Sequence, residues 1–286
     1  MKAIWRIKVE GILFEVGLCL VLLVGHGRVK VYSKSSLHRN SDDVALVAPK
    51  ANWDQVEWIE KFCETFKCTP NIYTMDANPE DGYLIPRTIQ GHEAAAYLTY
   101  IVDNYDSLAP FTLFVHGGED HWHNDMAGPK TYHALYSLRL EAVKAYGYAN
   151  LRCLWTPGCP DTLHPSIIQK SDEAYEYLVD MFPEIYSELF GVNETEVPQK
   201  FAHQCCAQFA VTRERIRERP LSDYERILNW VENTHVTDSY GIGWTVEKIW
   251  HILFGMPASY CPQVENPLTL GESLQPVSWS EEGIQR

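Results

Sequence analysis

Positive charge is scarce in this 286-residue sequence: 24 Lys and Arg stand against 38 Asp and Glu, a formal net charge of −14 at pH 7. An acidic surface repels phosphate backbones and anionic lipid headgroups, so nucleic acids and membrane surfaces are disfavoured as partners. Low-complexity tracts are also lacking, and 45% of the residues are apolar, which is enough for one large folded domain. We therefore expect a globular protein whose partner is a small-molecule substrate.

Several common motifs are absent as well. The sequence has no Cys-x-x-Cys pair, which argues against a zinc ribbon or a thioredoxin-type site. It has no Gly-x-Ser-x-Gly, His-Glu-x-x-His or phosphate-loop motif, which disfavours the hydrolases and nucleotide-hydrolysing enzymes that use them. Candidate residues must therefore be found from their positions in the fold.

Residues 1–27 have the three parts of a secretory signal peptide. Three basic residues open the segment, Val16–Val24 is a short apolar run, and the Gly-His-Gly of residues 25–27 offers a cleavage site. An uncleaved membrane anchor and a buried first strand are the alternatives. We expect a secreted protein, or one in the lumen of the endoplasmic reticulum or Golgi, with a membrane contact only if the segment stays uncleaved. The glycosylation sequon at Asn193 fits this location.

Cysteine usage points to the same oxidising compartment. Of eight cysteines one lies in the leader, so seven remain and at least one is expected to be unpaired. The disulfide candidates are Cys153, Cys159, Cys205, Cys206 and Cys261. The first two flank a Pro-Gly turn that can join them, whereas the adjacent pair is expected to take different partners, with Cys261 as one candidate. Buried free thiols are the alternative.

The apolar periodicity predicts an α/β fold. Val44–Ala48 is typical of a buried strand, residues 53–66 have helical spacing, and residues 71–74 suit a second strand. A strand, a helix and a strand at this length indicate a βαβ unit and therefore a parallel sheet.

The alternation continues along the chain. A helix is predicted to begin near residue 91, and residues 111–115 form an apolar strand. Further helices are predicted at about 130–146, which ends at a glycine suited to a left-handed cap, and at about 243–254.

The domain organisation follows from these elements. We expect a single Rossmann-like α/β domain over residues 43–265, with a mainly parallel sheet flanked by helices. A polar segment at 28–42 precedes it after the signal peptide or anchor of 1–27, and a polar tail at 266–286 follows it.

Histidines and carboxylates concentrate directly after the strand at 111–115. His116, His121 and His123 share ten residues with Asp120 and Asp125, and in open α/β sheets ligands bind beyond the carboxyl ends of strands. Imidazole and carboxylate groups bind divalent metals, so these five are the candidate ligands for Mn²⁺ or Mg²⁺ if a cofactor is used. A metal-free acid–base or ligand site and a purely structural polar loop are the alternatives.

The last predicted helix carries a second pair of candidates. Glu247 and His251 lie four residues apart on one helical face, where they can share a proton. Glu247, His251 and His116 are therefore the catalytic candidates, with a satisfied structural pair as the alternative. Arg213 opens a run of arginines spaced by two, which is either a solvated surface or an anion-binding cluster.

Several phrases of the sequence together resemble a known family. They are Gly91–Ala94, Phe114–Gly117, Trp122–Asp125, Cys205–Val211 and Trp250–Gly255. Over about residues 44–262 they are similar to the fungal domain-of-unknown-function family 3431. The resemblance implies no activity; it implies a place among fungal secreted proteins or natural-product gene clusters.

The order of elements is also similar to that of GT-A glycosyltransferases. In these, a loop after a strand carries Asp-x-Asp, which holds a metal and a sugar nucleotide, and a later helix bears a catalytic carboxylate. The resemblance implies that His116, Asp120 and His123 hold the metal and that Glu247 is the general base. The loop departs from the pattern because it has no Asp-x-Asp. The candidate substrate contacts are Gly91, Glu93, Trp122, Asn124, Arg213 and Trp250.

We therefore expect a tailoring enzyme that acts on a small organic or glycosidic substrate as a metal-assisted, glycosyltransferase-like transferase. The first alternative is a metal-free cyclase or isomerase of natural-product biosynthesis, in which His116 or Glu247 moves a proton. The second is a secreted binding protein without turnover.

Overall fold

The computed structural model describes residues 41–124, 128–160 and 170–262. The expected signal peptide, most of the polar segment that follows it, the polar tail and Asp125 lie outside the described residues. The strands are β1 (Val44–Lys50), β2 (Thr69–Thr74), β3 (Phe111–Phe114), β4 (Tyr148–Asn150), β5 (Ala202–His203), β6 (Phe209–Thr212) and β7 (Ser259–Tyr260). The helices are α1 (Glu57–Phe66), α2 (Glu93–Asp103), α3 (Thr131–Ser137), α4 (Leu140–Tyr146), α5 (Glu176–Phe190), α6 (Arg213–Arg217), α7 (Leu221–Asn233), α8 (Ser239–Glu247) and α9 (Trp250–Leu253).

A five-stranded sheet in the order β2-β1-β3-β6-β4 forms the centre of the molecule. β1 pairs in parallel with β2 on one side and with β3 on the other, whereas β6 runs antiparallel to both β3 and β4. Four of the five strands therefore share one direction, and the expected α/β fold with a mainly parallel sheet is confirmed. β5 and β7 form a separate two-stranded parallel sheet.

The side chains of β1 alternate between two apolar layers, as a strand buried on both faces requires. Val44 and Leu46 pack with α1, α3 and α4, whereas Ala45 and Val47 pack with α2, α5, α7 and α8. The sheet thus lies between two helical layers. Among the described residues, no helix is both long enough and apolar enough to cross a membrane.

Two predicted helices are each divided in the structure. The helix expected at 130–146 is α3 followed by α4, and Gly147 caps α4 in the predicted left-handed conformation, with φ +80°. The helix expected at 243–254 is α8 followed by α9, with Lys248 and Ile249 between them. Glu247 and His251 are therefore not on one continuous helical face.

The cysteine pairing differs from the expectation. The disulfides among the described residues are Cys63–Cys68, Cys159–Cys261 and Cys205–Cys206. The expected bond between Cys153 and Cys159 is wrong, because Cys159 bonds to Cys261. The expectation of different partners for Cys205 and Cys206 is also wrong, because they bond to each other. No described cysteine is free, so the expected unpaired cysteine is not found in this part of the chain.

Long-range pairing explains the Cys159–Cys261 bond. β7 pairs with β5, and the indole Nε1 of Trp155 donates to the carbonyl oxygen of Pro262 at 2.9 Å. These contacts bring the chain around Cys261 to the turn that carries Cys159, and local spacing does not show them.

Two glycines set the distance between α2 and α8. A Cβ at Gly243 would lie 3.1 Å from the carbonyl oxygen of Gly91, and a Cβ at Gly91 would lie 2.6 Å from Cγ2 of Ile242. The amide of Gly91 also donates to Oγ of Ser239 at 2.9 Å. The start of α2 and the body of α8 therefore approach at backbone distance.

Replacing Gly91 by Ala tests this contact. The new methyl group clashes with Ile242, and an L residue at φ +77° is strained, so the free energy of unfolding should fall by about 2–4 kcal/mol. Gly82→Ala is the matched control, because Gly82 has φ +95° and no atom within 4 Å of its Cβ position. Denaturant unfolding of both variants separates the two effects. Equal losses would contradict a packing role for Gly91.

Candidate functional site

The chain changes direction across the sheet between β1 and β3. From β1 it passes to β2 on one side, and from β2 it returns to β3 on the other side of β1. In open α/β sheets such a switch point opens a crevice beyond the carboxyl ends of the two strands, where ligands bind. Lys50 ends β1 at this point, and His116 follows β3 just beyond it.

Two consecutive glycines bring the ends of these strands into contact. A Cβ at Gly117 would overlap the carbonyl oxygen of Pro49, so only glycine fits there. The Cβ position of Gly118 lies 3.3 Å from Oδ1 of Asp54 and 3.2 Å from Nε2 of His121. Asp54 therefore belongs to the site. Sequence reasoning missed it, because it lies on the connection after β1, far along the chain from the histidine loop.

The three histidines of the loop form one cluster. The ring centroids of His116, His121 and His123 lie 4.9–5.1 Å apart. Nε2 of His116 lies 3.0 Å from the carbonyl oxygen of Cys206, and Nε2 of His121 lies 3.0 Å from that of Gly118. A carbonyl oxygen can only accept, so both Nε2 atoms carry the proton and both Nδ1 atoms keep a lone pair.

Burial keeps this cluster neutral. It lowers the pKa of His116 despite the carbonyl of Cys206 and the charges of Glu247 and Asp54, which act in the opposite direction. Burial and the neighbouring imidazoles lower the pKa of His121 to about 4 and that of His123 to about 2. The three rings are therefore uncharged near neutral pH, and each keeps one ring nitrogen with a lone pair that can accept a hydrogen bond.

A buried amide network holds the cluster in place. Oε1 of Gln208 accepts from the amide of His116 at 3.2 Å, and its Nε2 donates to Oδ1 of Asn124 at 2.8 Å. Asn124 in turn donates to Oγ1 of Thr131 at 3.0 Å and to the carbonyl oxygen of Pro129 at 2.8 Å. The expected substrate contact Asn124 is thus buried and bonded to protein groups, which gives it a positioning role.

Glu93 and Glu247 interact electrostatically with each other, and Glu247 also interacts with His116. Glu93 is the first residue of α2, where a helix N-terminus favours a carboxylate. Burial outweighs that effect and, together with the negative charge of Glu247, raises the pKa of Glu93 to about 7. Glu247 also pairs with Nζ of Lys248 at 3.5 Å, and its charge reaches His116. The charge of Glu247 therefore acts both on a second carboxyl group and on an imidazole.

The backbone before Glu93 is strained. His92 has φ +52° and ψ −121°, a conformation that glycine usually takes, and it follows Gly91 at φ +77°. Such residues cost about 1–3 kcal/mol each and concentrate at functional sites. Nε2 of His92 is buried without a hydrogen-bond partner, and its ring packs on Tyr240 at 4.3 Å.

Two of the predicted substrate contacts, Arg213 and Trp250, have other positions in the structure. Arg213 follows Thr212, which pairs with Phe111 at the amino end of β3, so it sits at the edge of the sheet opposite His116. Trp250 is buried in the apolar layer against Tyr97 and Phe209.

The remaining predicted residues have mixed outcomes. His251 stacks on His203 at 4.6 Å, and Gly91 serves helix packing. Trp122 is 73% exposed on the rim beside the histidines, and Asn193 is exposed as a glycosylation site requires.

The described residues do not fit the expected Mn²⁺ or Mg²⁺ site. Within 41–124, 128–160 and 170–262, no group of three or more His, Cys, Asp or Glu side chains could hold a metal ion. Asp120 is 59% exposed and faces Nζ of Lys130 at 3.6 Å. The three imidazoles are also poor ligands for such hard cations. We derive no chemical step through a metal.

Comparison with protein families gives one match. The model described as "Protein of unknown function (DUF3431)" matches residues 46–269. The chain belongs to this family. The match confirms the family resemblance seen in the sequence phrases. No curated protein and no solved structure matches the chain.

The raised pKa of Glu93 predicts how stability depends on pH. The unfolded chain releases this proton near pH 4.5, whereas the folded protein holds it up to about pH 7. The folded state then binds more protons over this range, so the contribution of Glu93 to stability is lost as pH rises from about 4.5 through 7.

Glu93→Gln removes this loss. The free energy of unfolding of the variant, minus that of the wild type, should grow by up to about 3 kcal/mol between pH 5 and pH 8. The buried histidines contribute with the opposite sign, but they are common to both proteins and cancel. Denaturant unfolding at each pH measures the difference, with the exposed Glu64→Gln as the control. A difference that is independent of pH would show that Glu93 titrates normally.

Proposed function

We propose that this protein is a tailoring enzyme that performs metal-free acid–base chemistry on a small organic or glycosidic substrate. The observation that carries the proposal is the electrostatic interaction of Glu247 with both Glu93 and His116, the histidine that follows β3 at the switch point. A carboxyl group with a pKa near 7 can both give and take a proton at physiological pH. An isomerase or cyclase needs this chemistry and no net supply of electrons.

The three groups support distinct roles. Glu93, protonated up to about pH 7, is the general acid that gives its proton to the substrate. Nδ1 of His116 has the lone pair of a general base, because its Nε2–H is bonded to Cys206. Glu247 interacts with both groups, and its charge stabilises the imidazolium that forms on His116. One proton enters the substrate and one leaves, so the reaction is balanced as an isomerisation or cyclisation.

Two exposed tryptophans favour a substrate that carries a ring. Trp53 is 76% exposed and precedes Asp54, while Trp122 is 73% exposed and follows His121. Asp54 and His121 both lie against Gly118, so each tryptophan is the sequence neighbour of a residue at the same point of the site. Exposed aromatic side chains at a site offer stacking surfaces for a sugar or a planar ring.

We also propose that the protein folds in a secretory compartment and acts in fungal natural-product metabolism. Three disulfides among the described residues support an oxidising environment. The exposed sequon Asn193 is accessible to a glycosyltransferase. A glycan at Asn193 and a mature chain without residues 1–27, seen by mass spectrometry after expression in a fungal host, would support this location, and an unmodified full-length chain would contradict it.

Ligand screening by thermal unfolding tests the activity. Ring-bearing polyenes, quinones and glycosides are offered to the purified chain in the presence of a chelator. A ligand at a hundred times its dissociation constant stabilises by about 2.7 kcal/mol, which is readily detected. Nucleotide sugars with Mn²⁺ are screened in parallel. A shift that needs both a nucleotide sugar and the metal would overturn the metal-free proposal in favour of the transferase.

Turnover of a stabilising compound then separates an enzyme from a binding protein. Glu93→Gln should slow product formation about 100-fold or more, the usual worth of a general acid. Glu247→Gln should also slow product formation, because the charge that stabilises the imidazolium of His116 is lost. Glu64→Gln should leave it unchanged. Binding with no turnover, or full turnover in both site variants, would contradict the proposed roles.

The tryptophans give a separate prediction. Trp53→Ala and Trp122→Ala should each weaken binding of the stabilising compound about tenfold or more, because a stacking surface is lost. Tyr136→Ala removes an exposed ring that packs on Phe62 in α1 and serves as the control. Calorimetric titration measures the affinities. Unchanged affinity in both tryptophan variants would exclude stacking at this rim.

A further inference from the structure

Adjacent cysteines joined to each other sit directly beside the histidine cluster. Cys205 and Cys206 are both buried, and their disulfide closes a ring between sequence neighbours. Cys206 has φ +86° and Ala207 has φ +46°, two consecutive non-glycine residues in the left-handed region. An L residue there costs about 1–2 kcal/mol, so an unconstrained chain would tend to leave this conformation.

This turn presents two polar groups to the site. The carbonyl oxygen of Cys206 accepts from Nε2 of His116 at 3.0 Å. Two residues later, the side chain of Gln208 accepts from the amide of His116 and donates to Nδ1 of His123 at 3.4 Å. The same short segment therefore sets the proton position of one ring and contacts a second.

Arg152 and Gly158 also pack against this turn. Nη1 of Arg152 lies 3.9 Å from Sγ of Cys206, and a Cβ at Gly158 would overlap the carbonyl oxygen of His203. The segment that precedes the disulfide therefore cannot shift freely. The disulfide joins Cys206, whose carbonyl oxygen accepts from His116, to Cys205, whose backbone nitrogen lies 3.2 Å from the Cβ position of Gly158.

We propose that the Cys205–Cys206 disulfide is a positioning element of the site, which holds the carbonyl oxygen of Cys206 on Nε2 of His116 and so keeps Nδ1 of His116 unprotonated. The effect on turnover rests on the proposed function. The effect on the proton position of His116 does not, because it follows from the hydrogen bond alone.

Breaking the bond should free the ring to change tautomer. Reduction by a dithiol converts the two sulfurs to thiols while the dithiol becomes a cyclic disulfide, with two electrons and two protons transferred to the protein. The strained residues can then relax, and the carbonyl of Cys206 leaves His116. Without that acceptor, the proton of the neutral ring divides between Nδ1 and Nε2.

Nitrogen NMR of ¹⁵N-histidine-labelled protein reads the tautomer directly. His116 in the wild type should show one protonated Nε2, and the Cys205→Ser/Cys206→Ser variant should show the Nδ1–H form in addition. His116→Gln assigns the signal. Cys63→Ser/Cys68→Ser is the matched control, since it removes another short-range disulfide on α1 and should leave His116 unchanged. If the double variant does not fold, wild-type protein reduced with dithiothreitol is measured instead. Because this treatment also reduces Cys63–Cys68 and Cys159–Cys261, the Cys63→Ser/Cys68→Ser and Cys159→Ser/Cys261→Ser variants are measured without reductant beside it.

The outcomes distinguish this proposal from the proposed function. A tautomer change with turnover lowered by as much as about 100-fold, the cost of a misplaced catalytic group, supports both. A tautomer change with unchanged turnover supports the positioning role and contradicts the catalytic role of His116. A single Nε2–H form in both the double variant and the reduced protein would overturn the positioning role.

Discussion

The approach of β1 to β3 at Gly117 is the contact on which the site depends. Because residue 117 has no side chain, its backbone can lie against the carbonyl of Pro49 just before the end of β1. Gly118 then lies between Asp54 and His121, and the loop that follows brings three imidazoles to within about 5 Å of one another. A second glycine contact, between Gly91 and Gly243, allows the start of α2 to lie close to α8.

The contact between α2 and α8 also positions two carboxyl groups, those of Glu93 and Glu247. Glu93 begins α2 and Glu247 ends α8, and the close packing of these helices places each carboxyl group within the electrostatic influence of the other. Burial disfavours the charged form of Glu93, and the negative charge of Glu247 adds to this effect, so Glu93 stays protonated up to about pH 7. The same burial that lowers stability at high pH therefore supplies a carboxyl group able to exchange a proton at neutral pH. The strained backbone of His92, directly before Glu93, lowers stability further.

Periodicity was sufficient to predict the first half of the fold. β1, α1, β2, α2 and β3 lie close to their predicted positions, because each has an apolar pattern of its own period and a clear breaker at its end. β6 was not predicted, since four residues at Phe209–Thr212 carry too little pattern and their place in the sheet depends on pairing with β3. Pairing of that kind is long-range and leaves no local signal.

The part of the site that has a local sequence signal was predictable, and the rest was not. The histidine loop was found because its residues are consecutive and follow a strand. Asp54 and Gln208 were not found, because each acts through a contact between distant segments. The Cys205–Cys206 bond was not found, because adjacent cysteines were expected to take different partners. Arg213 was predicted as a substrate contact from the run of arginines that it opens and from the order of elements similar to that of GT-A glycosyltransferases. The antiparallel direction of β6 carries that residue to the opposite edge of the sheet.

Direct titration of the Glu93 carboxyl group tests the central claim, that a protonated acid stands beside Glu247 and His116 at neutral pH. Carbon NMR of protein labelled at the glutamate side-chain carboxyl groups follows each titration, and Glu93→Gln assigns the signal. The account predicts that Glu93 titrates near pH 7, and that Glu247→Gln lowers this value by removing the neighbouring charge. A midpoint near pH 4.5, unaffected by Glu247→Gln, would contradict it.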